Sequence, residues 1–174
     1  MFELHDISYR THSGVTLLKN VTVAVSPNAL TAVMGLNGAG KTTLLKILSR
    51  YLKPAQGAVF LDGNNLNNFS AKELARHIAY VPQDFPTDFP FTVFEFVMMG
   101  RFAWQDGLFA HPSDEAMVRA ILSRLDLQSV AERLVNTLSG GERQRVLMAR
   151  ALAQDTPVIL LDEPLNHLDI KNKI

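Results

Sequence analysis

Alternation opens the chain: Phe2 and Leu4 are apolar, Glu3 and His5 polar, and Val21, Val23 and Val25 alternate with Thr22 and Ala24. A period of two predicts two strands, each with one covered face. Residues 30–34 form instead a continuous apolar run, which predicts a strand buried on both faces. That run leads into glycines at 35, 38 and 40. Over residues 42–50 the side chains Leu44, Leu45, Ile47 and Leu48 predict a helix with those four on its buried side. Residues 58–61 predict a short strand stopped by Asp62-Gly63-Asn64, a turn signal. Ile78–Val81 and Val158–Leu161 read as two further strands, the first ending at Pro82-Gln83 and the second at Asp162-Glu163-Pro164. Residues 113–125 predict an amphipathic helix with Met117, Ile121, Leu122 and Leu125 on one side. Three helix starts carry the pattern Ser/Thr-x-x-Glu: Ser70 with Glu73, Thr92 with Glu95, and Ser139 with Glu142. Each such cap is worth ~1 kcal/mol and sets where its helix points.

Strands and helices interleave, so the pattern predicts an α/β protein with a mainly parallel sheet. Ligands bind such sheets beyond the carboxyl ends of the strands. Residues 85–135 read as helical and are expected to form a lobe on a single domain.

Composition narrows the function. The chain has 174 residues, 47% hydrophobic and 20% charged, which argues against a disordered chain or a fibrous rod. Lys plus Arg and Asp plus Glu are 17 each, and this zero net charge speaks against a general nucleic-acid binder. Absence of cysteine excludes disulfides, cysteine zinc sites and thiol catalysis. No basic segment with an apolar stretch opens the chain, and no run approaches the ~18 apolar residues of a membrane span, so a soluble cytosolic protein is expected. Two glycosylation sequons, at Asn20 and Asn68, therefore read as chance.

Three stretches carry chemistry. Residues 35–42, Gly-Leu-Asn-Gly-Ala-Gly-Lys-Thr, fit the phosphate-loop pattern G-x-x-x-x-G-K-[ST]. Glycines let the backbone aim its N–H groups inward, and the following helix adds its positive end. Lys41 reaches the β- and γ-phosphates, and the Thr42 hydroxyl suits Mg²⁺. One ammonium 4 Å from a charge is worth only ~1 kcal/mol in water, so the amides and the metal are needed as well. Second, the strand at 158–161 ends in Asp162, suited to hold Mg²⁺, and Glu163, suited to polarise an attacking water. Third, Ser139-Gly140-Gly141-Glu142 opens a helix. Capping alone does not ask for two glycines, which weaken a helix by ~1 kcal/mol, so this start reads as a second phosphate-binding helix end.

With these motifs in place, the chain resembles the nucleotide-binding subunit of an ABC transporter. Residues 35–42 match the Walker A loop, Gln83 the Q-loop glutamine, residues 138–144 the ABC signature, residues 158–163 Walker B with its catalytic glutamate, and residues 165–169 the D-loop. The resemblance implies the P-loop ABC-ATPase fold: a mainly parallel core sheet, an antiparallel β edge and a helical lobe. It implies ATP and Mg²⁺ as ligands. ATP would be held by Gly35, Asn37, Gly38, Ala39, Gly40, Lys41, Thr42 and Thr43, with Tyr9 stacked on adenine, and Mg²⁺ by Thr42, Gln83 and Asp162. Glu163, Gln83 and Lys41 carry catalysis. Ser139, Gly140, Gly141 and Glu142 meet the ATP of a second copy, and Asp169 belongs to the D-loop. Tyr9 has the plainer alternative of packing on its strand edge. His167 is expected on a surface and is not the family's switch histidine.

The implied partners are a second nucleotide-binding subunit, integral membrane permease subunits and, indirectly, a substrate-binding protein, with no nucleic acid. The implied location is the inner face of the cell membrane. Seven of the ten phenylalanines lie within residues 85–109, and Phe91 is expected in a groove for a permease helix. Phe91-Thr92-Val93, Met99-Gly100-Arg101 and residues 166–170 are similar to importers of iron-siderophore, haem or cobalamin type. Asp88-Phe89-Pro90 and residues 97–101 are also similar to manganese and zinc importers. Leu165 replaces the usual Ser or Thr. The chain stops where the family continues to further strands and the switch histidine, so missing strands, an uncovered apolar surface, low stability and poor solubility are expected. A nucleotide-binding module without effective hydrolysis is the alternative function. ABC-type ATPases of DNA repair or of the ribosome fit poorly. No heptad coiled coil separates Gln83 from Leu138, and one domain of zero net charge does not suit a nucleic-acid partner.

Overall fold

The computed structural model describes residues 1–83, 90–105 and 111–164. They form two compact units, 1–74 and the described part of 75–174.

In the first unit, β1 (Phe2–Arg10) lies between β2 (Thr16–Val25) and β3 (Gln56–Leu61), and β4 (Asn64–Asn65) closes the order β2-β1-β3-β4. All three pairings are antiparallel. Leu4 pairs with Val23 on one side and Val59 on the other. The alternation predicted for β1 is realised: Phe2, Leu4 and Ile7 are buried. The slip in period from Leu4 to Ile7 coincides with a register shift at Asp6, whose backbone is left-handed (φ 53°). Helix α1 (Lys41–Leu48) buries Thr43, Ile47 and Leu48, whereas Leu44 and Leu45 are only half-buried. A short helix, α2 (Ala71–Ala75), starts at Ser70, whose amide and hydroxyl exchange bonds of 2.7 and 3.2 Å with Glu73.

The predicted strand over residues 30–34 is not formed. No strand is assigned there, Leu30 is fully exposed, and Met34 and Leu36 are 90% and 86% exposed. A continuous apolar strand is stable only with a ladder neighbour and cover on both faces. Among the described residues no strand pairs with it, so the run forms no ladder.

In the second unit β5 (Ile78–Val81) and β6 (Val158–Leu161) are parallel, with Ile78 opposite Val158 and Val81 opposite Leu161. This is the only parallel pair among the described strands. The antiparallel strands β1–β4 form a sheet of their own, the antiparallel β edge that the resemblance implies, and β5 with β6 is the described part of the parallel one. Helices α3 (Val93–Met98), α4 (Pro112–Arg124) and α5 (Gly140–Ala153) share one core with β5, built from Val81, Val93, Val97, Val118, Leu122, Val146 and Ala149 among others. A one-turn helix, Met99–Ala103, follows α3. Its Gly100 lies so close to α5 that a Cβ there would stand 2.5 Å from the Arg150 carbonyl oxygen, so only glycine fits.

The inward face of α4 differs from the prediction. Val118 and Leu122 are its buried apolar residues, with Asp114 buried beside them, while Met117, Ile121 and Leu125 are half-buried flanks. The shift comes from Arg101, whose Nε donates to Asp114 Oδ1 at 2.8 Å and whose Nη1 donates to the Ala153 carbonyl at 2.9 Å. Pairing makes a buried carboxylate tolerable there, which hydrophobicity alone could not foretell.

Candidate functional site

The first unit supplies a phosphate loop. Gly38 and Gly40 have left-handed backbones (φ 80° and 88°), and the Ala39 amide donates to the Leu36 carbonyl at 3.1 Å, closing a turn. A Cβ on Gly40 would stand 2.9 Å from both the Leu17 carbonyl oxygen and Leu18 Cδ2, so glycine is required twice over. That approach seats the loop against β2. Tyr9 pairs with Leu18 across the β1–β2 ladder and is half-buried, which places its backbone one strand from the loop's contact on β2. Gly35, Asn37 and Ala39 lie in the exposed part of the loop. Helix α1 begins at Lys41 with no side-chain cap on its first amides. The first-turn N–H groups and the helix dipole suit an anion. Lys41 Nζ donates to the carbonyls of Gly35 (2.9 Å) and Leu36 (3.0 Å), which holds the ammonium over the loop. Thr42 is half-buried and Thr43 buried.

The second unit supplies an acidic strand end. The Asp162 amide donates to the Val81 carbonyl at 3.0 Å, which carries the parallel ladder one residue past β6. Parallel register brings the carboxyl ends of β5 and β6 to one edge, so Gln83, Asp162 and Glu163 emerge together. Asp162 is 1% exposed, and Tyr80 Oη donates to its Oδ2 at 3.1 Å. Glu163 is half-buried with a left-handed backbone (φ 46°). A non-glycine residue in that region carries strain, which tends to collect where a side chain must be aimed.

The signature stretch lies at the start of α5. Ser139 donates to Glu142 Oε2 through its amide (2.8 Å) and its hydroxyl (2.7 Å), and the Glu142 amide donates back to Ser139 Oγ at 3.3 Å. The Ser139 hydroxyl and amide bonds hold the Glu142 carboxyl below its ordinary range, with help from Arg133 and Arg145. A Cβ on Gly141 would meet nothing within 4 Å, so packing among the described residues does not ask for glycine there.

Tyr80 was missed by sequence reasoning. Its signal was a hydroxyl inside an otherwise apolar strand, since a buried tyrosine oxygen needs a partner. The D-loop assignments, Leu165, His167 and Asp169, fall outside the described residues, as do Phe85, Asp88 and Phe89 of the aromatic stretch.

The ABC transporter family profile matches residues 18–166. The chain belongs to the ABC transporter ATP-binding family. Among curated ABC proteins, the ferric enterobactin transport ATP-binding protein FepC of Escherichia coli strain K12 is 42% identical over 161 residues, 91% of this chain and 59% of that protein. The hemin import ATP-binding protein HmuV of Nocardia farcinica is 45% identical over 154 residues, 88% of this chain and 53% of that protein. Of the solved ABC cassettes, the dimeric MJ0796 in a post-hydrolysis state bound to ADP and Pi superposes with a TM-score of 0.87 at 31% identity, covering 98% of this chain and 77% of that one. The chain thus spans about three-fifths of the length of the curated ABC relatives it matches.

Proposed function

We propose that this chain binds ATP and hydrolyses it to ADP and phosphate, to power import of a metal chelate of the iron-siderophore, haem or cobalamin class. The observation that carries this reading is the phosphate loop: two left-handed glycines against β2, and Lys41 held over the loop by the Gly35 and Leu36 carbonyls. In the proposed reaction Lys41 and the loop amides hold the β- and γ-phosphates, while Tyr9 stacks on the base. Thr42, Gln83 and Asp162 would hold Mg²⁺; hydroxyl, amide and carboxylate oxygens are the hard donors this ion prefers. Held by these residues, the ion would supply neutralisation of the phosphate charge. Glu163 accepts a hydrogen bond from the attacking water and orients it in line with the γ-phosphate. Ser139, Gly140, Gly141 and Glu142 serve the nucleotide of a second copy, and Asp169 joins the two copies.

FepC and HmuV bear the names of ferric enterobactin and hemin transport, which favours the chelate class over the manganese and zinc alternative. Among the described residues no helix is long and apolar enough to cross a membrane. The proposed partners are permease subunits, with the chain on the inner membrane face. Phe91, 36% exposed just before α3, is the residue we assign to that contact.

A binding module without turnover is the second reading, favoured by the unladdered run at 30–34 that leads into the phosphate loop. Phosphate release and nucleotide binding separate the two. Glu163→Gln is expected to slow turnover at least ~10²-fold while ATP stays bound. Lys41→Ala is expected to weaken binding itself. Equal phosphate release by parent and both variants would overturn the site assignment, and binding without release by the parent would establish the second reading.

A further inference from the structure

The pairing of β5 with β6 does more than place two strand ends at one edge. Parallel register sets Tyr80 opposite Leu160, two residues before Asp162. Residues two apart share a face of a strand, so Leu160 and Asp162 lie on the face to which Tyr80 belongs. The diagonal between neighbouring strands is within reach of an aromatic side chain. Tyr80 spans it, and its hydroxyl meets Asp162 Oδ2 at 3.1 Å. The rest of β5 is fully apolar: Ile78, Ala79 and Val81 are all buried. The tyrosine oxygen is the polar atom of that strand's side chains, and it is directed at the carboxylate.

We propose that Tyr80 is a positioning residue for the divalent cation: its hydroxyl fixes the orientation in which the Asp162 carboxylate meets the metal. The proposal rests on the ATP and Mg²⁺ reading above and extends it to a residue that touches neither ligand. An Asp carboxylate that is 1% exposed needs donors around it, and a donor on a rigid strand also selects its rotamer. Partners one step removed from a metal ligand orient that ligand, and their loss typically costs 10- to 100-fold in metal affinity. A hydroxyl that only satisfied a buried charge would affect the fold and not the metal.

Binding of a fluorescent ATP analogue to the full chain, measured in EDTA and across a Mg²⁺ titration, tests this without any turnover. For Tyr80→Phe we expect affinity in EDTA equal to the parent's and a half-saturating Mg²⁺ concentration raised about tenfold or more. In an Asp162→Asn background the same substitution is expected to change nothing further, because its effect runs through that carboxylate. A Mg²⁺ response like the parent's, or an effect that survives Asp162→Asn, overturns the positioning role alone. Loss of binding in EDTA as well overturns it too, since Tyr80 then supports the fold. A parent that binds the analogue with no response to Mg²⁺ overturns the metal reading beneath it.

Discussion

Glu95 and Glu142 close two helix starts by the same means. Each carboxylate accepts from the amide and the hydroxyl of the residue three before it, and those bonds hold both carboxyls below their ordinary range. A carboxyl lowered on folding stabilises the fold at pH values above its unfolded value, and that contribution is lost as pH falls through the lowered one. Thr92→Ala is therefore expected to lower the melting temperature at pH 7. The gap between variant and parent should narrow as pH falls through the lowered Glu95 value, and the part that remains belongs to the Thr92 hydroxyl's bond from the Glu95 amide at 3.2 Å, which does not titrate. A gap that stays constant down to acid pH would remove the carboxylate from the account. These boxes were legible in the sequence because all their chemistry sits within four residues. Lys41 and the loop glycines were legible for the same reason. Tyr80 with Asp162 was not: the two are 82 positions apart, and only the pairing of β5 with β6 joins them.

Between elements, one polar contact sits inside an apolar core. Arg101, from the turn after α3, meets Asp114 on α4 with both side chains about nine-tenths buried. Removing one partner of such a pair leaves an uncompensated buried charge and costs about 3–5 kcal/mol. Asp114→Ala is expected to lower stability in that range in a denaturant titration. Joint replacement, Arg101→Met with Asp114→Leu, is expected to recover most of the loss. A small effect of Asp114→Ala would mean that the Ala153 carbonyl alone suffices for Arg101. Periodicity located α4 but misplaced its inward face, because apolar counting gives Asp114 to the solvent. Strands β1, β3, β5 and β6 were legible from their own alternation or apolar runs. The run at 30–34 was not, because a strand is a property of its neighbours as much as of itself.

For the molecule as a whole, the exposed run from Leu30 to Leu36 and the balance of charges act together. Contiguous exposed apolar surface promotes association, and a chain with no net charge has no long-range repulsion to oppose it. The sequence pI is about 7.0, so the two effects coincide at neutral pH. We expect a hydrophobic dye to bind the isolated chain and solubility to pass through a minimum near neutrality. Replacing Leu30 and Met34 with serine should reduce the dye signal. Dye binding unchanged by that double replacement would place the exposed surface elsewhere.

The bonds from Lys41 to the Gly35 and Leu36 carbonyls give the phosphate loop a resting partner of its own. On the function proposed above, nucleotide arrival would exchange these carbonyl bonds for bonds to phosphate, one set of partners for another. A part that such a cycle would empty and refill thus carries built-in partners for its own charge.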